Sequence, residues 1–313
     1  MTRFRPDLPR PLVKRVAMAV MVGLLAGLWL TAAALETRLA VLHASRDTAA
    51  VAGAGADATG RTVRRFLALT PGFGAADLTP GARMRSTTEL LRVQAAFDAA
   101  SAVFLVDASG HVVAASSPLP GGTLDVGASD WFGAGMRAGR DTVSAARVEA
   151  SWLRPGPGVV LTRVLTRADG TPLGMIGALL PAEPTADRPA PDWTVPAWAP
   201  AGVVIDVAGP VGGPIVSVSA GTAKPASPTD AEVPWGNRAF VQLGGLLNDA
   251  PSVASAVPVP YSNLHVVARL PRDAALLRAW PASRTRLELL GAVELALLGA
   301  GLLLMLAAPR APS

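Results

Sequence analysis

Charge vanishes from the chain near both of its ends. Val16–Leu35 holds no ionisable residue, and Leu289–Ala308 holds only Glu294. About 20 apolar residues at helical rise match the hydrocarbon core of a bilayer. Both stretches therefore predict membrane-spanning helices, over 16–35 and 287–308. The first is preceded by a tail, residues 1–15, with Arg3, Arg5, Arg10, Lys14 and Arg15 against the single acid Asp7. Positive charge on that flank keeps the N-terminus cytoplasmic. Cleavage as a signal peptide at Ala32-Ala33-Ala34 is the competing reading, but the apolar run exceeds the usual ~7–15 residues of such signals. Two spans return the short tail, 309–313, to the cytoplasm.

Between the spans the periodicity changes repeatedly. From Glu36 to about Phe73, leucines at 35, 39 and 42 and apolar residues at 63, 66 and 67 keep a helical spacing, interrupted near Gly53. Ser86-Thr87-Thr88-Glu89 reads as the start of a second helix running to about Ala100. Residues 36–100 thus form a long helical stalk. Short apolar and β-rich runs then take over. Val103–Val106 and Val112–Ser116 flank Asp107-Ala108-Ser109-Gly110, a hairpin signal. The loop Pro118–Gly122 follows, then a short helix capped by Ser129 or Asp130 and ending at Gly139. Strands are expected at Thr142–Val148, Gly158–Thr166 and Pro172–Leu180, the last two joined by Arg167–Gly170. These elements make a module over 101–181. Residues 182–200, rich in proline, read as a linker. A fainter copy fills 201–283. It has strands at Gly202–Val207 and Ile215–Val218 around a turn at Asp206–Gly209, and a polar loop over Thr222–Pro234. A helix over Asn237–Leu247, strands at Ser252–Val259 and Leu264–Leu270, and a helix from Pro271 through Trp280 complete it. The pattern is α+β, with antiparallel sheets and helices packed on them.

Composition narrows the chemistry. Half of the 313 residues are hydrophobic and 16% are charged, well below the ~25% usual for soluble domains. No cysteine is present, which excludes disulfides and thiol nucleophiles. The net charge of +5 is not a nucleic-acid footprint, because lysine occurs only at 14 and 224 and the arginines are dispersed. His43, His111 and His265 lie on separate elements, so no metal site is expected. No nucleophile and base pair can be assembled, and no catalytic residue, cofactor or enzymatic activity is expected. Asp107 and Asp169 precede glycine in turns and read as turn residues. Arg147 and Arg163 read as strand arginines on a solvated face or facing an anion. Glu294 is an intramembrane acid or reaches the interface. Gly23 and Gly27 form a GxxxG on one helix face, where a second copy could approach.

Taken in order, FLVDASGHVVAASS, SDWF, GVVLTRVLTRADGTPLGMIGALL, VVIDVAG and NLHVVARLPRDAALLRAW resemble the double Cache family. These tandem PDC-fold modules are periplasmic sensor domains of bacterial chemoreceptors, histidine kinases and diguanylate cyclases. The resemblance covers residues 36–288. It implies two transmembrane helices flanking a tandem PDC-like ectodomain with a long N-terminal helix, in the bacterial inner membrane. It also implies a small periplasmic solute bound by the membrane-distal module, at Ser129, Asp130, Trp131 and Phe132, with lining from Ser117, Ser144 and Arg147. Amino-acid sensors of the family carry an arginine where this chain has Ser129, so the resemblance names no ligand. Relatives continue into an output domain after the second span. Here the signal is expected to pass to a separate signalling partner. The alternatives are a non-binding Cache scaffold, or a truncated remnant of a kinase or cyclase. From the residues alone, Trp131 and Phe132 read equally as an aromatic anchor for a short helix, and Asp130 as its cap.

Overall fold

The computed structural model describes residues 10–119, 124–139, 141–148, 156–181, 193, 195–209, 214–219, 222–225, 240–242 and 252–307. The chain divides into two compact units. One draws on 1–43 and 272–313; the other is Ala44–Pro271.

The first unit is a pair of helices. Helix α1 spans Arg10–Leu69 and enters the second unit after His43. Helix α4 spans Arg272–Ala307. It is one continuous helix through Pro281, so the helix foreseen as far as Trp280 and the apolar stretch after it are a single element. Among the described residues only α1 is long and apolar enough to cross a membrane. The helices meet at two places. Arg286 Nη1 lies 3.1 and 3.3 Å from the two Glu36 carboxylate oxygens, and the Ser283 hydroxyl donates to Glu36 at 3.1 Å. Further along, a Cβ on Gly301 would sit 3.3 Å from Met21 Cε. From 36 back to 21 on α1 equals the step from 286 to 301 on α4, so the pairing is antiparallel and in register.

The Arg286 guanidinium and the Ser283 hydroxyl hold the Glu36 carboxyl below the usual glutamate range, against desolvation. A depressed folded pKa contributes stability above the unfolded value of about 4.3 and loses it as pH falls through the folded value. The melting difference between the wild-type chain and Glu36→Gln in nanodiscs should therefore hold constant from pH 7 to pH 5 and shrink only below about pH 4. A difference already gone at pH 6 would show that the carboxylate is not what ties the helices.

The second unit carries two six-stranded antiparallel sheets. The first comprises β1 (Ala102–Asp107), β2 (His111–Ala115), β3 (Leu124–Asp125), β4 (Val143–Val148), β5 (Gly158–Thr166) and β6 (Pro172–Pro181). Its order is β3-β2-β1-β6-β5-β4. The second comprises β7 (Val204–Ala208), β8 (Pro214–Ser219), β9 (Thr222–Pro225), β10 (Phe240–Gln242), β11 (Ser252–Pro258) and β12 (His265–Pro271). Its order is β9-β8-β7-β12-β11-β10. Strand for strand, the two sheets trace the same circuit.

Local chemistry explains the hairpins. Asp107 Oδ1 accepts from the backbone N–H groups of Ser109 and His111, both at 2.9 Å, and Gly110 takes φ 94°. Asp169 accepts from the Thr171 N–H at 2.9 Å, beside Gly170 at φ 86°. Left-handed backbone at these turns favours glycine.

Several expectations are corrected. Helix α1 runs without interruption past Gly53, because a lone helical glycine costs only about 1 kcal/mol and the buried residues around it repay that. Val51 and Ala52 are fully buried, and Ala56 is 3% exposed. The helix ends at Leu69, where the Thr70 hydroxyl donates to the Phe66 carbonyl at 3.0 Å. Helix α2 spans Arg83–Ala96, starting before Ser86. The Ser86 hydroxyl instead donates to the Asp77 carbonyl at 3.0 Å, tying α2 to a short 3-10 turn at Ala75–Leu78. Asp206 lies inside β7 and not in a turn. Thr222–Pro225 is strand, the rest of that expected loop lying outside the described residues. Phe240–Gln242 is strand, where a helix over Asn237–Leu247 was expected; its remainder also lies outside the described residues. Of the linker, only Trp193 and 195–200 are described, and Trp193 is buried.

The second sheet packs against α1. Gly55 meets the second sheet so closely that a Cβ there would lie 2.9 Å from a Val266 methyl and 3.5 Å from Ile205. The Thr48 and Ser255 hydroxyls pair at 2.8 Å on the same side. Further along α1, Phe66 packs on Phe97 at 6.1 Å between ring centroids, and Arg163 of β5 donates to Thr70 at 3.2 Å. The edge strand β4 is covered by the loop between β11 and β12. The Val143 N–H donates to the Tyr261 carbonyl at 2.9 Å, and the Asn263 N–H to the Val143 carbonyl at 3.1 Å. Tyr261 takes φ 61° to make this turn.

Candidate functional site

The short helix α3, Asp130–Met136, follows the first hairpin, as its sequence predicts. Ser129 is its N-cap residue, and its hydroxyl donates to the Val126 carbonyl. Asp130 is the first helical residue and is exposed. It is not the cap, although a carboxylate in the first turn still suits the helix dipole.

Trp131 and Phe132 point onto the sheet. Phe132 is 8% exposed in a cluster with Phe104, Val106, Val112, Val160, Met175 and Leu179. Trp131 is half-buried, edge-on to Phe104 at 5.9 Å and to Phe132 at 6.4 Å. Behind them Gly135 closes on the sheet, where a Cβ would lie 2.8 Å from Thr162 Oγ1 and 3.1 Å from Met175 Cε. Phe104 in turn covers Gly177, where a Cβ would lie 2.4 Å from its ring. The face beneath α3 is thus occupied by the protein's own side chains.

The strand residues divide. Ser144 pairs across from Thr162 and Ala146 from Val160, which places both on the α3 face. Ser144 is 2% exposed, and its hydroxyl accepts from Asn263 Nδ2 at 3.0 Å. Arg147 lies three positions further along an unbroken ladder, on the opposite face of β4. Residues three apart on a regular strand cannot line one pocket, so Ser144 and Arg147 are separated. Arg163 shares the Arg147 face and is held at the end of α1.

Ser117 stands apart. It lines an open groove of about 320 Å³ with Arg83, Thr87, Ala115, Ser116, Pro118 and Leu119. The groove lies between the start of α2 and the exit of β2. Its arginine was invisible to sequence reasoning, because Arg83 precedes Ser117 by the whole of α2 and both strands of the first hairpin.

The second sheet holds a polar group that its sequence hid inside an apolar strand. Asp206 is 3% exposed and pairs with Arg269 Nη2 at 2.6 Å, while the Ser217 hydroxyl donates to its other oxygen. The α1-remote face of the sheet carries these residues with Ala254, Ala256 and Val267. No group of histidine and carboxylate side chains fit to hold a metal occurs among the described residues.

No family model matches the chain, and no curated protein sequence matches it. Solved structures similar to it include the ligand-binding domain of the Pseudomonas fluorescens chemoreceptor CtaA in complex with L-isoleucine. That match has 14% identity and a TM-score of 0.48, covering 75% of this chain and 95% of that one. Another is the sensory domain of the Campylobacter jejuni chemoreceptor Tlp3, at 11% identity and a TM-score of 0.45, covering 77% and 98%. A third is the extracellular domain assigned to the histidine kinase rpHK1S-Z16, at 17% identity and a TM-score of 0.47, covering 76% and 98%.

Proposed function

We propose that the chain is a membrane-anchored extracytoplasmic sensor that acts through a separate signalling partner and has no enzymatic activity of its own. The observation that supports this most is the repeated six-strand circuit, built twice along a single helix. That helix carries the apolar stretch Val16–Leu35 and continues unbroken to Leu69. A solute that favours one arrangement of the sheets would bias the position of α1, because the second sheet packs on the helix and β5 of the first is tied to Thr70, just past its end. Only differential affinity for two arrangements can shift them. In this reading 16–35 and 287–308 span the bacterial inner membrane and both termini are cytoplasmic. The module at 101–181 is membrane-distal and the one at 201–283 membrane-proximal. Gly23 and Gly27 have nothing within 4 Å, which leaves that face of α1 for a second copy.

A scaffold that binds no solute is favoured by one observation, the filled face beneath α3. The two readings separate in a thermal-shift screen of the full chain in nanodiscs against broad metabolite sets. A solute that raises the melting temperature saturably supports the sensor; silence throughout supports the scaffold.

A further inference from the structure

We propose that the groove between α2 and the exit of β2 is the ligand site, and that it takes a small organic anion with a short apolar tail. The inference rests on the sensor reading and places the site at the rim of the face beneath α3, whose apolar cluster Ala115 and Leu119 join.

Three polar side chains converge on this groove without partners. Arg83 opens α2 and Thr87 stands one turn later, so both project from one face of the helix. Ser117 meets them from the segment after β2. Among the described residues Arg83 makes no ion pair, and the hydroxyls of Thr87 and Ser117 make no hydrogen bond. The neighbouring acids are already engaged: Asp77 by Arg85 at 3.2 Å, Glu89 by Arg92, and Asp98 by Arg65 at 2.8 Å. Arg83 is thus left as an exposed cation beside Thr87 on one face of α2, with Ser117 on the other side of the groove. A guanidinium fork with flanking hydroxyls matches a carboxylate. The rest of the lining, Ala115, Pro118 and Leu119, is apolar and suits a short hydrocarbon tail. The volume of about 320 Å³ is at the small end of ligand pockets, which run from ~300 to ~1,000 Å³. Ser116 takes no part, since its hydroxyl accepts the Val103 N–H at 2.8 Å and holds the strand exit in place.

The test is a thermal-shift titration of the full chain in nanodiscs with sodium butyrate, at ionic strength held constant with sodium chloride. Its uncharged isostere butyramide and inorganic phosphate serve as comparison probes. Butyrate is expected to raise the melting temperature saturably. Arg83→Gln should weaken its affinity about tenfold, the loss of a charge-assisted hydrogen bond. Thr87→Val and Ser117→Ala should each weaken it roughly threefold, the loss of a neutral one. Since these side chains make no ion pair or side-chain hydrogen bond among the described residues, the variants should melt close to the wild type when butyrate is absent. Butyramide binding as tightly as butyrate overturns the anion claim. Phosphate binding as tightly overturns the role of the apolar lining. If butyrate is silent, or binds Arg83→Gln unchanged, while another solute from the screen stabilises the protein, the groove is wrong and the sensor stands. Silence of every solute overturns both.

Discussion

Asp206→Ala will lower the stability of the sheet-bearing unit by about 3–5 kcal/mol, the usual cost of stranding one member of a buried ion pair. The carboxylate is 3% exposed and lies 2.6 Å from Arg269, with Ser217 donating to it from β8. Removing it leaves a guanidinium that is itself only 22% exposed and has lost its carboxylate partner. For a unit of this size 1 kcal/mol moves the melting point by ~2–4 °C, so a fall of about 10 °C is expected by circular dichroism. The paired change Asp206→Leu with Arg269→Met should recover most of the loss, because burying two apolar side chains avoids the desolvation that the ion pair must overcome. A melting point unchanged in Asp206→Ala would mean that Arg269 finds water, and that this face of the second sheet is wet.

Phe104→Ala will cost about 3–5 kcal/mol, measured by urea unfolding. Its ring is 1% exposed, lies against the bare backbone of Gly177 and meets Trp131 edge-on. Truncation leaves a cavity that Gly177 cannot fill, having no side chain, and that Trp131 fills only by abandoning Phe132. Trp131→Ala should cost less, because that side chain is half-buried. Together the two changes decide what SDWF is for. If Trp131 and Phe132 served a solute and not the sheet, Trp131→Ala would leave the solute-free melting point unmoved.

The legible parts of this molecule are those decided within a few residues. Asp107-Ala108-Ser109-Gly110 and Arg167–Gly170 identify themselves as turns, since a carboxylate accepting N–H groups two and four positions on, and a glycine at positive φ, are local requirements. The strands flanking them follow from short apolar runs bounded by turns, and α3 begins after Ser129, whose hydroxyl turns back to the Val126 carbonyl instead of capping the helix. Asp206 was misread by the same logic. An aspartate three residues before a glycine looks like a turn, and nothing nearby in sequence announces Arg269 or Ser217 as its partners. Ser86 was misread likewise, its hydroxyl being committed to Asp77 and not to the helix it seemed to start. Gly53 looked like a break because propensity was weighed without the sheet that holds α1 straight.

The candidate site was legible only in fragments. SDWF was found with two readings of its aromatic rings, a solute wall or an anchor for the short helix, and the packing of Phe132 into the sheet cluster favours the anchor. Ser144 and Arg147 were grouped by the family resemblance, although a period of two puts them on opposite faces of β4. Ser117 was named without Arg83, because a groove between a helix start and a strand exit joins residues with no common pattern.

By itself the sequence determined what needs only neighbours: the apolar stretch at 16–35, the hairpin turns, the short apolar strands and the α+β class. Tertiary structure alone decided what needs distant partners: the identical strand order of both sheets, the burial of Asp206 against Arg269, the covering of β4 by Tyr261–Asn263, and which arginine faces an open groove. The physical reason is range. Turn and helix preferences act over four or five residues, whereas strand order, ion pairing and the filling of a face are settled by which apolar surfaces find one another as the chain closes.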